Sequence, residues 1–128
     1  MRDRTEIIAG QTVLFFNPQG SVLSKSADAN DFIGEVWGQN AEIAVIPVSR
    51  LGPDFLQLRT KLAGEVIQKF VNYQIRLVFL GDISKAVESS TALRDFVYES
   101  NRGRVVWFLP HEEEVRQKLI IGTDSSPS

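Results

Sequence analysis

Three short stretches carry side chains that can do chemistry. Ser49-Arg50 with Asp54, Asp82 with Ser84, and His111 each follow an apolar run. In a parallel sheet such positions sit at the carboxyl rim of the strands, where open α/β folds bind ligands. A serine within reach of a base can act as a nucleophile, so Ser84/Asp82/His111 and Ser49/Asp54/His111 are conceivable hydrolytic groupings. Both use common polar residues at loop positions, and serines that cap helices or close turns are the simpler reading. Arg50 ahead of a helix start can hold an anion, although Asp54 would repel one. Asp82 taken alone resembles a metal or phosphoacceptor carboxylate, but closing a turn explains it more simply.

A further charged stretch runs from Arg94 to Arg104, with Tyr98 among its arginines. Asp95 and Glu99 lie at helical spacing from Arg94 and Arg102, which favours local ion pairs. That spacing predicts a solvated or partner-facing helix and not a nucleic-acid surface.

Composition narrows the chemistry. The 128 residues contain no cysteine and one histidine, so neither a disulfide nor a thiolate or multi-histidine metal site can form within the chain. The formal net charge of −2 gives no general field toward nucleic acid or an anionic membrane. No apolar run approaches the roughly 20 residues that span a bilayer. No Gly-x-Gly-x-x-Gly or Walker-type loop follows a strand. Residues 1–6 lead into too short an apolar stretch for a secretory signal, so a cytoplasmic protein is expected. The sequence predicts no cofactor.

The elements that must position these groups follow from periodicity. Phe55, Leu58, Leu62, Val66, Phe70 and Tyr73 recur every three or four residues and predict one amphipathic helix over Asp54–Tyr73. Pro53 and Asp54 fit its first turn. Gly64 inside it, like Gly34 in an earlier helix, predicts close packing against a neighbour. The runs 43–48, 75–80 and 105–109 read as strands. Glu6–Ala9 and Thr12–Phe16 read as a hairpin turning at Gly10-Gln11. Asp28-Ala29-Asn30-Asp31 reads as a capping box for a helix that stops at Gly38. Residues 84–89 suit a helical turn or a loop, and Ser89-Ser90-Thr91 caps the helix after them. Glu112–Glu114 open a last helix anchored by Val115 and Leu119. The expected product is a single α/β domain over residues 1–121 with a flexible tail at 122–128. It has a mixed, mostly parallel sheet of about five strands, an opening hairpin and about four helices.

Several words of the chain carry a resemblance. Ala63-Gly64-Glu65, Gln68-Lys69-Phe70, Asn72-Tyr73, Gly81-Asp82-Ile83 and the run from Leu93 to Gly103 closely resemble a bacterial domain-of-unknown-function family across about residues 6–110. The order of elements also resembles the STAS fold of sulfate transporters and anti-sigma-factor antagonists. In regulatory STAS domains the strand-to-helix corner often carries a serine that a partner kinase phosphorylates. This corner reads Leu51-Gly52-Pro53-Asp54-Phe55, without that serine.

The resemblance implies a non-enzymatic regulatory or protein-interaction domain. Its expected binding surface is the Ser49–Asp54 corner with the exposed sides of two helices, where Arg50, Arg59, Lys61 and Arg94 would steer an acidic protein partner. Self-association remains open. The alternative is a small polar ligand or substrate held where Asp82, Asn101 or Arg102 converge in a concave pocket.

Overall fold

A two-residue turn opens the fold. Ala9 (φ 51°) and Gly10 (φ 81°) are both left-handed, the type I′ geometry whose twist suits a hairpin. They join β1 (Arg4–Ile8) to β2 (Gln11–Phe15) as an antiparallel pair, one residue earlier than Gly10-Gln11 suggested. β3 (Ile43–Pro47), β4 (Arg76–Leu80) and β5 (Val106–Leu109) add in parallel, giving the order β1-β2-β3-β4-β5. The computed structural model describes residues 3–124. Residues 1–2 and the last four residues of the expected tail, 125–128, lie outside the described residues.

Because the parallel strands follow one another across the sheet in chain order, right-handed crossovers place every connecting helix on the same face. That layer holds α1 (Ala29–Gly38), α2 (Leu62–Asn72), α3 (Ser84–Ser89) and α4 (Thr91–Arg102). Phe32, Val36, Val66 and Phe70 pack there on Leu14, Ala44, Leu77 and Phe79. α5 (Glu112–Asp124) takes the opposite face alone, with Val115 and Leu119 on Val13, Val45 and Val78. The described residues thus form five α-helices, one more than expected, because 84–89 winds into a helix of its own.

A helix about 10 Å wide covers roughly two strands spaced about 4.8 Å apart, so α5 cannot roof five. Long cationic side chains do the rest. Phe15 lies under Arg4 and Arg116, whose guanidinium carbons are 4.3 and 5.8 Å from its ring centre. Trp107 lies under Arg76 and Lys118 at 4.8 and 4.7 Å. Both rings stay buried through these aliphatic stems and cationic heads. Arg116 is fixed by a two-pronged bond to Glu6, Nε to Oε2 at 2.8 Å and Nη2 to Oε1 at 2.9 Å. Lys118 donates to the Asn101 carbonyl on the other side. The helix is strapped to β1 and to the end of α4 at once.

The central helix departs from its periodicity. Only Leu62–Asn72 is α-helical, and 53–60 form turns ending in a 3₁₀ segment, Leu58–Thr60. Thr60 explains the break. Its Oγ1 donates toward the carbonyls of Asp54 and Gln57 and accepts from the Leu62 N–H, offering the backbone an alternative to helix. Lys61 then turns left-handed (φ 65°). Phe55 is still fully buried, but through a loop.

Other local expectations shift too. Asp28 caps a preceding 3₁₀ turn, accepting from the N–H groups of Ser24 and Lys25, while Asp31 takes no part in a capping box. α1 ends at Gly38 as expected, and the chain beyond it turns left-handed at Asn40. α2 ends the same way at Gln74, each with the six-to-one bond of a Schellman motif, from Ala41 N–H to Val36 O and from Ile75 N–H to Phe70 O. Trp37 and Tyr73 from these last turns meet edge to face, ring centres 5.0 Å apart, and both are exposed. Gly34 and Gly64 do not pack closely. A Cβ at either would meet nothing within 4 Å.

Two outcomes follow from these contacts. Gly34→Ala and Gly64→Ala will each raise stability by about 0.5–1 kcal/mol in urea denaturation, since both glycines lie in open helix surface. The Arg116 guanidinium, with help from Arg4, holds the Glu6 carboxyl below the usual glutamate range. A depressed folded value means stability that is full above the unfolded value and lost as pH falls through the folded one. Glu6→Gln should therefore cost about 1 kcal/mol near neutral pH, discounted for partial exposure. The difference from wild type should close well below about pH 4.3, the ordinary glutamate value.

Candidate functional site

The corner after β3 is built around an interior arginine. Residues 48–50 make one 3₁₀ turn, which sends Arg50 inward to 8 % exposure. Its Nε donates to the Ser21 carbonyl and its Nη1 to the Asn17 carbonyl at 2.8 Å. The guanidinium lies 4.8 Å from the Phe32 ring centre. Among the described residues no carboxylate pairs with it. Carbonyl dipoles and ring faces stabilise the charge instead.

The neighbours complete a clamp on the 17–23 loop. Ser49 Oγ donates to the Pro18 carbonyl at 2.6 Å. Leu23 N–H bonds the Arg50 carbonyl, and Gly52 N–H bonds the Leu23 carbonyl. Gly20 (φ 147°) is where only glycine fits, because a Cβ would lie 2.7 Å from Arg50 Cζ. Ser49 and Arg50 are brought together, but by holding this loop.

Two clefts flank the clamp. One, of about 500 Å³, opens above Arg50 between the loop and α1 and is lined by Asp3, Asp31 and Glu35. Asp3 is fixed there by accepting the Asn17 N–H at 2.7 Å. The other, of about 660 Å³, lies between the unwound 51–59 segment and helices α3 and α4. Its wall is mainly aliphatic, with Arg59 as its charged residue. Asp54 faces a third, smaller cleft beside Thr60 and Glu65.

Asp82 and Ser84 also meet. Asp82 Oδ1 accepts the Ser84 N–H at 2.9 Å. Bonds from Ser84, then the nearby charges of His111 and Lys85, hold its carboxyl below the usual aspartate range. A nucleophilic triad needs the histidine between serine and carboxylate; here the carboxylate bonds the serine directly, as in an Asx turn.

Asn101 has an architectural task. Its Oδ1 accepts the Phe108 N–H at 2.7 Å and its Nδ2 donates to the Phe108 carbonyl at 3.1 Å. The side-chain amide thus behaves as one residue of a sixth strand and closes the outer edge of β5. Arg102 lies 3.7 Å from Glu99 and leans over Tyr98. Asp82 and Asn101 spend their polar atoms on these contacts and do not converge on a pocket. Lys61 and Arg94 are exposed on separate elements.

A family model described as a domain of unknown function, DUF4180, matches residues 8–119. The chain belongs to that family. The words from Ala63 to Gly103 that carried the resemblance fall inside the matched span of this DUF4180 domain. Neither a curated protein nor a solved structure matches it. Among the described residues, no helix of the domain is long and apolar enough to cross a membrane. No group of three or more metal-ligating residues of the His, Cys, Asp and Glu types occurs among them either.

The sequence points to Arg50 in the first cleft and to Arg59 with the 51–53 corner in the second, and not to the residues that complete either lining. Asp31 reads in the sequence as part of a capping box, and its place in the cleft beside Glu35 depends on how the 17–23 loop meets α1. Leu56 was the available signal for the groove, since it fits neither the three-four stripe nor the polar face of a helix. Asn101→Ala, which leaves both Phe108 backbone groups without partners, should cost about 1–3 kcal/mol in urea denaturation. It should also raise the self-associated fraction in sedimentation velocity through the opened β5 edge.

Proposed function

We propose that this DUF4180 domain is a non-enzymatic interaction domain that receives an extended, basic segment of a partner protein along β1. The observation that carries it is the contrast between the two sheet edges. Asn101 covers the β5 edge at Phe108, whereas among the described residues the β1 edge is open. In the hairpin register Ile8 faces Gln11 next to the two-residue turn. Counting back from that hydrogen-bonded pair turns the N–H and C=O groups of Thr5 and Ile7 outward. Ile7, on the helix-side face, is 75 % exposed because the helical layer does not reach over β1. A partner strand can complete both the ladder and this cover.

Charge selects the segment. The adjoining cleft presents Asp3, Asp31 and Glu35, and its one guanidinium, Arg50, is turned to carbonyls. Arg50 is too buried to steer an acidic partner from this corner. A basic segment is therefore the complementary one. The non-enzymatic reading is supported by the commitments of Ser49, Asp82 and Ser84 to loop and turn contacts, and the regulatory reading by an element order that resembles STAS domains.

Selection of a displayed library of extended peptides against the domain should enrich basic sequences, bound more weakly at high salt. Ile7→Pro removes an outward N–H that the fold does not use, so the variant should fold and bind at least tenfold more weakly. Enrichment of acidic sequences, or full binding by folded Ile7→Pro, would rule the reading out.

A further inference from the structure

The apolar groove at the carboxyl end of β3 and β4 lies away from the β1 edge and has a different chemistry. We infer that it binds an amphipathic carboxylate, an unbranched aliphatic chain inserted into the groove with its carboxyl group at Arg59. Val48, Leu51, Leu56 and Leu58 form one wall, and the small side chains of Ala86 and Ala92 leave room opposite. At about 660 Å³ the space matches small-molecule sites, which are mostly apolar with a few placed polar groups.

The polar atoms decide the ligand class. Ser89 Oγ donates to the Lys85 carbonyl, and Ser90 Oγ accepts the Leu93 N–H. Each hydroxyl thus has one of its bonding functions committed to helix backbone, and a sugar or nucleotide would find few free polar groups along the rest of the wall. No aromatic ring lines the groove, so a base or aryl group has nothing to stack on. Arg59 is different. It is exposed at the rim and, among the described residues, bonded only to the neutral Gln57 Oε1 at 2.9 Å, and none of those that line this groove is acidic. One cation at the mouth of an aliphatic trough complements one carboxylate on an aliphatic chain.

The local backbone supports the assignment independently. The groove exists because 53–60 leaves the helix its periodicity calls for, at a left-handed lysine (φ 65°) that a continuous helix would avoid. Departures from local preference of this kind concentrate at binding sites.

The test uses decanoate, decanol and the full chain below micellar concentrations. Decanoate should raise the melting temperature by about 3 °C or more at saturation, and decanol by clearly less. Amide shifts in nitrogen–proton correlation spectra should concentrate in residues 48–59 and 84–92. Arg59→Gln, at an exposed position, should fold normally and lose the preference for decanoate over decanol. Absence of stabilisation, equal stabilisation of wild type and Arg59→Gln, or shifts centred elsewhere would each overturn the assignment. None of these readouts depends on the β1 edge.

Discussion

One-sided winding is the constraint from which the rest of this domain follows. Four strands laid down in chain order send their crossover helices to one face, and nothing in that scheme covers the other. A single terminal helix has to do it. α5 supplies two fully buried anchors, Val115 and Leu119, and its width leaves Phe15 and Trp107 to either side. Four cationic side chains then act as eaves over those rings. The Glu6–Arg116 pair holds the helix to β1, so covering the second face and fixing its register are one arrangement.

The same winding sets the fate of the sheet edges and of the carboxyl rim. α4 ends beside β5 and can spare Asn101 for that edge, whereas among the described residues nothing does the same for β1. The crossovers also offer no reversal of direction between β3 and β4, the place where open α/β sheets usually bind ligands. The clefts here arise differently, from a loop held by Arg50 and from a helix that starts late.

The layers were legible in the sequence because burial leaves a period. Leu62, Val66 and Phe70 face inward as their spacing requires, and Ile43–Ile46 is buried throughout, as a strand covered on both faces must be. Phe55 and Leu58 continue the same stripe, yet neither lies in the α-helix. Periodicity records which side chains are buried, and Thr60 decides the conformation that buries them. Helix glycines misled for a related reason: Gly34 and Gly64 attract attention as close-packing sites but lie on open surface, while Asn40 and Gln74 take the left-handed positions. Of the candidate site, Asn101 was legible as a polar residue worth singling out, but its partner Phe108 is a neighbour that only the fold supplies. The acidic cleft and the apolar groove depend on how separate segments meet, which no local window of residues records.

The two tryptophans divide the molecule between them. Trp107 lies beneath Arg76 and Lys118 on the α5 side, and Trp37 stands exposed against Tyr73 at the far end of the helical layer. Indole emission responds to local polarity and to nearby charge, so each ring is a native optical probe of one layer. Detachment of the terminal helix would register at Trp107 alone, and a change in how the first two helices end would register at Trp37. The domain can thus report, without a label, which of its two faces has come loose.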